Sequence, residues 1–475
     1  MKRVTLFFLI LIAHSASGLN INIKTFHAVG DGMTDNTQII QKAIDKCSKA
    51  GGGTITIPEG TFLTGPVFLK SNININLEQG SILLGVANMD VYQKAFPNFK
   101  GKETTPALIY AKDVVNIGLS GTGTIDGQGY NQSFQLGNDA AGGPFRPKLI
   151  YFRNCKNVNV KDVTLRNPAY WTQHYEGCDG VVIRGIKVYA HCNWNNDGLD
   201  IDSKNVVVSD CIIDSDDDAI CFKSDFITPC QNITVSNCVL STNCNAIKFG
   251  TGSKGGFKNI TVNNIEIHGP MQRIIWDWSK AYPWMGIESN LSVIAGIAVE
   301  CVDGGITDGI NISNIVMSDV QTPIFIRLGD RKQTFTKQVS TLKNITITNV
   351  IAKSNSKMTC SITGMPDKAV ENIFISNVNM EVRGGGISTD NSLDINEAKE
   401  KYPENRMFGV ILPAYGFYVR HANQVSFKDL TITTREVDAR STFVLDDVHK
   451  HSIEGCTANG IAPTIVTNRL IVNSN

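Results

Sequence analysis

The sequence predicts an all-β protein, a single-stranded right-handed parallel β-helix with an N-terminal helical cap. A short pattern of alternating apolar residues between Asn, Asp or Gly recurs through most of the chain. The 42 glycines and the modest aromatic content of 8% suit many short strands and turns better than long helices. The 475 residues are enough for one long stack of coils with a large core.

The recurring pattern is Asn or Gly, then β-branched residues at alternate positions, then Asn or Asp and a second alternating pair. Period-two alternation predicts strands, and a fixed period indicates a stack of equivalent units. Each unit has room for two or three strands and their bends but not for a helix, which favours coils wound about one axis. A β-sandwich would not keep this register for so long. Copies start at residues 157, 180, 205, 232, 259, 309, 344, 372 and 424.

Residues 37–50 have helical apolar spacing, and three glycines at 51–53 end this segment. Residues 31–36 resemble a turn that leads into the helix, and strands are expected at 54–57 and 73–77. An amphipathic helix at this end would cover the open edge of the first coil. The apolar positions of the predicted cap helix are Ile40, Ala43, Ile44 and Cys47.

Residues 1–18 have the features of an export signal: Lys2 and Arg3, an apolar run at 4–13 and small residues at 16–18. The apolar run is about half the length of a membrane-spanning helix, and no later segment is long enough to span a bilayer. We therefore expect an exported protein, periplasmic or extracellular. Residues 19–475 would form a single β-helix domain.

The 44 basic and 44 acidic residues balance, which argues against nucleic-acid binding. We also expect the protein to be a monomer. The 12 cysteines fall mostly at repeat positions, for example Cys211 and Cys238 in successive strands. They are expected to fill the core and turns first and to form disulfides second. No Cys/His spacing suits a metal, so no metal and no cofactor are expected.

Six carboxylates fall in two short segments, Asn195-Asn196-Asp197-Gly198-Leu199-Asp200 together with Asp202, and Asp216-Asp217-Asp218. Aligning the apolar strands that follow places Asp197, Asp218 and Asn245 at one bend of successive coils, with Asp217 beside them. Coils stack about 4.8 Å apart, so three acids gather on one face. Like charges at such a site raise a pKa, as a general acid requires. A ladder of Asp and Asn residues that merely caps the bends is the structural alternative.

The chain resembles the polygalacturonase family of pectin-degrading enzymes, glycoside hydrolase family 28, over essentially its whole mature length. The resemblance implies a pectin-lyase-like β-helix and hydrolysis with inversion of a polysaccharide or oligosaccharide. It implies that Asp217 protonates the leaving oxygen, and that Asp197 and Asp218 orient and deprotonate the attacking water. The matching motifs are Gly30-Asp31-Gly32, Gly51-Gly52-Gly53, Gly121-Thr122-Gly123-Thr124-Ile125-Asp126-Gly127-Gln128-Gly129, Asn167-Pro168-Ala169-Tyr170-Trp171, Asn195-Asn196-Asp197-Gly198 and Asp217-Asp218-Ala219-Ile220.

The chain departs from this family at two substrate-holding motifs. Cys244-Asn245-Ala246 stands where family members carry Gly-His-Gly. Ala298 and Glu300 stand at the Arg and Lys positions of the family's Arg-Ile-Lys motif. A glutamate there would repel a uronate. The substrate subtype, galacturonan or rhamnogalacturonan, therefore stays open.

Other side chains are candidates for substrate binding. Lys223 and Lys248 should face outward beside the acids, where they either neutralise the cluster or contact sugar. A loop at 270–290 offers aromatic rings for stacking, and an insertion at 384–423 could close one end of a groove and favour exo attack. The full set of binding candidates is Asn245, Lys223, Lys248, His174, Trp171, Arg327, Trp276, Trp278 and Tyr415, with Arg420 and His421 as weaker ones.

Two other functional classes fit the same acids. A calcium-dependent polysaccharide lyase would use the carboxylates as a metal site and would lose activity with a chelator. A non-catalytic carbohydrate-binding β-helix would bind sugar without turnover, and Asp217→Asn would leave binding unchanged.

Overall fold

A computed structural model describes residues 18–97, 105–134, 146–270, 292–334 and 337–467. The predicted export segment lies outside these residues except for Gly18, and so does the loop that carries Trp276 and Trp278. Within the described residues, no helix is both long and apolar enough to cross a bilayer.

The described residues contain two α-helices and 30 strands. The helices are α1 (Thr37–Lys49) and α2 (Met89–Ala95). The strands are β1 (Leu19–Asn22), β2 (Asp31–Asp35), β3 (Gly53–Ile57), β4 (Gly60–Thr64), β5 (Val67–Phe68), β6 (Ile73–Leu77), β7 (Ser81–Gly85), β8 (Ala107–Lys112), β9 (Val115–Gly121), β10 (Thr124–Asp126), β11 (Lys148–Arg153), β12 (Lys156–Lys161), β13 (Thr164–Arg166), β14 (Gln173–Arg184), β15 (Lys187–Ala190), β16 (Leu199–Ser209), β17 (Ile212–Ser215), β18 (Ile220–Ser224), β19 (Cys230–Thr242), β20 (Asn245–Ser253), β21 (Phe257–His268), β22 (Val293–Cys301), β23 (Ile306–Leu328), β24 (Thr341–Ser354), β25 (Cys360–Thr363), β26 (Val370–Gly384), β27 (Ala414–Glu436), β28 (Ser441–Glu454), β29 (Thr457–Ala458) and β30 (Ile465–Thr467).

These strands pair only in parallel, each with the equivalent strand of the next coil, and the pairings separate into three sheets. Sheet 1 contains β11, the start of β14 and of β16, then β18, β20 and β22. Sheet 2 contains β12, the ends of β14 and β16, and the start of β19. Sheet 3 contains β13, β15 and β17. The predicted parallel β-helix is confirmed.

Asparagine marks the bends because it tolerates the left-handed backbone region better than other side chains. Asn205, Asn232 and Asn259 have φ of 57°, 58° and 54° at one corner. Their side chains also bond along the axis: the Asn232 amide donates to Asn205 at 3.1 Å, and the Asn259 amide to Asn232 at 3.2 Å. The repeated Asn in the sequence therefore sets both the bend and the contact between coils.

The β-branched and other apolar residues at alternate positions of the copies point into the coil and form one continuous core. Aromatic rings fill it beside the acidic segments. Phe222 and Phe249 stack with centroids 4.5 Å apart, and Phe249 meets Phe257 edge-on at 5.6 Å. This packing fixes the register of β18 and β20, which hold the functional side chains.

The cap agrees with the sequence except in its first segment. Helix α1 buries Ile40, Ala43, Ile44 and Cys47 against the first coil, as predicted. Residues 31–36 were expected to be a turn, but Asp31–Asp35 pair with β4 as strand β2. The Asp31 carboxylate still accepts hydrogen bonds from the backbone amides of Met33 and Thr34, as in a turn. Strand β2 is therefore irregular.

The late insertion is shorter than expected. It covers residues 385–413, because Tyr415 and its neighbours to residue 423 belong to β27 and pair with β25 and β26. The insertion folds back over sheet 1: Asn405 donates to the Ile294 carbonyl at 3.2 Å, and Arg406 donates to Gln321 at 3.1 Å.

Candidate functional site

The register of sheet 1 brings the two acidic segments together. Leu199 pairs with Ile220, and Ile220 pairs with Ile247, which aligns the residues two positions earlier in each coil. Bonds between the coils agree, since the Gly198 amide donates to the Asp218 carbonyl at 2.9 Å. The resulting row along the axis consists of Trp171, Asp197, Asp218 and Asn245, as the sequence predicts for the last three.

The turn before β18 places Asp217 beside this row. Its carboxylate accepts from the Asp218 amide at 2.8 Å, and its carbonyl accepts from Ser215 Oγ at 2.7 Å. One carboxylate oxygen each of Asp217 and Asp218 lie within 4.8 Å of each other. Both side chains are buried, as is Asp197. Three acids therefore share one nearly dry site, where charges interact strongly.

Two buried lysines compensate part of this negative charge. Lys248 Nζ lies 3.1 Å from Asp218, and Lys223 Nζ lies 3.1 Å from Asp200 and 3.7 Å from Asp197. Both project outward from their coil, as expected, but they are only 2% and 8% exposed. Their geometry favours the neutralising role over free contact with sugar.

The neighbouring acids Asp217 and Asp218 differ in protonation. Burial, together with the nearby charge of Asp218, raises the pKa of Asp217 to about 6. Burial acts against ionisation of Asp218 too, but Lys248 and Lys223 and the Asn245 hydrogen bond hold its pKa below its usual 3.8. A protonated acid next to an ionised carboxylate is the pair that acid–base catalysis requires.

Asp197 and Asp200 lie in the preceding coil. Burial and the neighbouring Asp200 and Asp217 raise the pKa of Asp197 well above its usual value. Burial likewise raises the pKa of Asp200, against the attraction of Lys223. Asp197 Oδ1 is buried and has no hydrogen-bond partner among the described residues. A water or substrate hydroxyl would satisfy it.

A buried arginine holds the Asp217 side of the site and was missed in the sequence. Arg146 donates to the Ala169 carbonyl and to Asn195 Oδ1, both at 3.0 Å. Asn195 in turn donates to Asp217 at 3.4 Å, and Arg146 covers the Tyr170 ring at 4.9 Å. An isolated Arg outside every repeat copy gives no sequence signal for this role.

His191 supports the turn from the other side. Its Nε2 is 2.7 Å from Asp214 and its Nδ1 3.6 Å from Asp216, the residue before Asp217. Burial disfavours the charged ring, but these two carboxylates raise the pKa of His191 to about 9. Asn243 bonds to the same Asp216 carboxylate at 2.5 Å. No motif or repeat position in the sequence singles out His191.

Trp171 and His174 lie together with Lys148 at the N-terminal end of the row. One face of Trp171 stacks on Tyr170, and the ammonium groups of Lys148 and Lys223 lie 4.1 and 4.5 Å from its ring centre. His174 is buried, 2.7 Å from Lys148 Nζ; burial and the nearby lysines keep its pKa well below 6.5. Burial lowers the pKa of Lys148 to about 8. Trp171 therefore has little free ring face for a sugar.

The insertion forms the opposite end of the site. Glu404 is buried 3.9 Å from Lys248, and burial raises its pKa to about 7. Lys248 Nζ lies 5.6 Å from the centre of the Tyr402 ring. Tyr402 itself is 44% exposed. The sequence predicted a closing insertion but named neither residue, because the fold-back contact spans more than 150 positions.

Several other candidates have structural contacts instead. Arg327 is 1% exposed and donates to the carbonyls of Gly364, Glu397 and Ala398, so it anchors the insertion. Tyr415 packs in the core and bonds to Thr442. Arg327 is therefore covered by the insertion, and Tyr415 is buried because it packs in the core of the coil.

Arg420 and His421 also hold the insertion, since both reach Glu397. Arg420 also pairs with Asp446 and His421 with Asp447, and both of these aspartates lie on β28. Neither side chain is available as an open sugar contact.

The sequence predicted that Glu300 would repel a uronate, and this prediction is wrong. The side chain is fully buried, its Oε2 lies 3.3 Å from Thr251 Oγ1, and burial raises its pKa to about 8. A protonated, covered carboxyl does not present negative charge to a substrate at neutral pH.

All 12 cysteines are free thiols in the structure, and 11 are buried. This agrees with their predicted role as fillers of core and turns. Cys244 also meets Asp217 and Asp218 in a group that has metal-ligand spacing. The fit to a cation is poor, because Lys248 already pairs with Asp218 and burial raises the pKa of the Cys244 thiol well above its usual value.

Comparison with known proteins shows which family the chain resembles. The model of glycosyl hydrolases family 28 matches residues 47–274. A probable polygalacturonase of Vitis vinifera is 32% identical over 229 residues, 45% of each chain. An exo-poly-alpha-D-galacturonosidase of Dickeya chrysanthemi is 31% identical over 252 residues, 42% of this chain and 41% of the relative. The chain thus matches less than half the length of these curated relatives.

The fold is shared over a longer span. The structure of a family 28 exopolygalacturonase from Yersinia enterocolitica superposes with a TM-score of 0.67 at 20% identity, covering 92% of this chain and 78% of that one. A polygalacturonase from Erwinia carotovora gives a TM-score of 0.58 at 21% identity, covering 89% and 96%. Residues 47–274 therefore match glycosyl hydrolases family 28, and the β-helix fold of these enzymes extends over most of the chain.

Proposed function

We propose that residues 19–475 form one catalytic domain, an inverting glycoside hydrolase that acts on pectic polysaccharide or oligosaccharide of the galacturonan or rhamnogalacturonan type. The observation that carries this proposal is a pair of adjacent buried acids in unlike surroundings: Lys248 lies 3.1 Å from Asp218, whereas Asp217 accepts a hydrogen bond from the Asn195 amide. Burial raises the pKa of Asp217 to about 6, so Asp217 stays protonated up to about that pH, while Lys248 keeps Asp218 ionised. Relatives named as polygalacturonases support the substrate class.

In the proposed reaction, Asp217 donates its proton to the oxygen of the leaving sugar. Asp218 accepts a proton from the attacking water. Asp197 orients that water through its unpartnered Oδ1, and its raised pKa leaves the deprotonation to Asp218. Arg146 and Asn195 hold the Asp217 carboxyl in place.

The stereochemistry needs a direct test. One oxygen of Asp217 lies within 4.8 Å of one oxygen of Asp218, and an inverting pair typically has its carboxyl groups roughly 6.5–9.5 Å apart. Proton NMR of the first-formed anomer distinguishes the two courses. An inverted anomer supports water attack, and a retained anomer would indicate a covalent intermediate on a carboxylate.

The hydrolase assignment is tested by Asp217→Asn, which removes the acidic proton but keeps the shape. We expect turnover to fall about 10²- to 10⁴-fold on a pectic substrate that the wild type cleaves. The matched control is Asp210→Asn, at an exposed bend with φ of 60° where Asn is the usual residue. Full turnover in Asp217→Asn would refute the assignment.

We further propose attack on chain ends. The support is the insertion that ends the acidic row, with Tyr402 and Glu404 beside Lys248. Size analysis of early products should show release of short units only. Tyr402→Ala should lengthen the product range, and early products of mixed length from the wild type would instead indicate endo action. A screen of pectin fractions and defined oligosaccharides identifies the bond.

A further inference from the structure

A separate cavity of about 630 Å³ lies at the far ends of three sheet 1 strands. Strands β11, β14 and β16 form its floor, and residues 225–229 overhang it. No role in the proposed reaction accounts for it. The lining side chains used below are Arg153, Asp202, Lys204, Phe226, Ile227 and Gln231.

The cavity lies to the side of the acidic row. Asp202 on its floor follows Asp200 by two residues in β16, a distance of about 6.6 Å along the strand. Asp200 is linked to Asp197 through Lys223. The row of acids runs across the strands, from coil to coil, whereas the cavity is displaced along the strand direction. A group in the cavity would therefore branch from a chain bound along the row.

The two basic side chains beside the cavity are already paired with carboxylates. Arg153 lies 2.8 Å from Glu176, and Lys204 lies 3.3 Å from Asp179. Asp202 accepts from the Asp225 amide at 3.0 Å, and burial raises its pKa well above its usual value. Both cations beside the cavity are thus already paired with carboxylates and none is left to bind a uronate, so the cavity suits a neutral ligand better.

The remaining surface combines apolar and amide groups. Phe226 and Ile227 are 37% and 65% exposed on the overhanging loop. The Gln231 side-chain amide forms no hydrogen bond to any described residue, so it can bond a ligand hydroxyl. An aromatic face beside a free amide is the arrangement that binds the C–H face and hydroxyls of a sugar.

We propose that this cavity binds a neutral sugar residue carried as a side branch on the acidic main chain. The proposal rests on the proposed function for the main chain and extends it: the enzyme selects branched substrate. The pocket adds affinity for the branch, whereas the acids act on the backbone bond.

Binding is tested without turnover. Ligand-observed NMR titration with galactobiose and arabinobiose measures the Kd for the wild type and three single variants. Phe226→Ala and Gln231→Ala should each raise the Kd of at least one disaccharide about tenfold. Ile351→Ala, which shortens a comparably exposed residue (52%) on β24, should leave it unchanged. Absence of binding, or binding that ignores both cavity variants, would overturn the proposal.

A second measurement separates this proposal from the hydrolase assignment. Asp217→Asn should lower turnover about 10²- to 10⁴-fold and leave disaccharide binding intact, so either idea can fail alone. In the wild type, kcat/KM should be higher for an oligosaccharide with a neutral branch than for its unbranched form. Phe226→Ala should remove that preference and spare the unbranched substrate. Equal kcat/KM for the two forms in the wild type would also overturn the proposal.

Discussion

Lys248→Met removes the cation that keeps Asp218 ionised while retaining most of the side-chain volume. The ammonium and carboxylate are 3.1 Å apart, which corresponds to about 5 kcal/mol at an effective dielectric constant of about 20. Desolvation of Lys248 offsets part of this attraction, and Lys223 remains. We therefore expect the pKa of Asp218 to rise by about 1–3 units.

The ion pair of Lys248 and Asp218 also makes the stability of the fold depend on pH. In the wild type the pKa of Asp218 lies below 3.8, so the ion pair stabilises the fold above that pH and this contribution is lost as pH falls through the folded pKa. In Lys248→Met, protonation of Asp218 moves into the working range. The acidic limb of kcat/KM should shift upward by the same 1–3 units, about 10- to 1000-fold at the low-pH end.

The assay is release of reducing ends from a cleavable pectic substrate across the acidic range, with thermal unfolding measured in parallel. Breaking a buried pair costs about 3–5 kcal/mol, so a lower Tm is expected as well. Lys161→Met, at an exposed position of β12, controls for the loss of a lysine. An acidic limb that does not move in a folded Lys248→Met protein would refute the reasoning.

Three further outcomes are expected. Because Asp217 must carry a proton, wild-type kcat/KM should fall about tenfold per pH unit above about 6, and a flat profile to pH 8 would contradict its role. The raised pKa of His191 stabilises the fold by up to about 3 kcal/mol below pH 6.5 and less as pH rises through about 9, so Tm should fall over that range and His191→Gln should flatten the decline; an equal decline in both proteins would exclude His191. Asn237→Ala should cost about 1–3 kcal/mol in urea unfolding, because Asn237 has φ of 56° and bonds to Asp210 and Asn264, and Asn237→Gly should cost less; the reverse order would contradict the left-handed bend as the cause.

Much of the architecture could be predicted because it depends on local repetition. Asn232 and Asn259 recur with the same apolar neighbours, and this spacing alone requires stacked bends. The helix α1 was readable from its apolar spacing, since one face must cover the first coil. The row of Asp197, Asp218 and Asn245 follows from the same register, as the bonds between coils confirm.

The remaining features depend on contacts between distant segments. Glu300 was expected to face a substrate, yet it is buried, because exposure depends on what packs above a strand. Arg327 was a candidate sugar contact but donates to carbonyls of the insertion. The periodicity of the sequence predicts the direction in which a side chain points. It does not predict which distant segment packs over that side chain, so neither contact could be predicted.

The sequence by itself determined the coil, the bends and the alignment of the acids, since each depends on residues one repeat apart. The tertiary structure decided which acid keeps its proton. That difference arises from Lys248 at 3.1 Å from Asp218, and from the burial that raises the pKa of Asp217 to about 6. Distances and solvent exclusion set a pKa, and both are properties of the assembled coils rather than of any one segment.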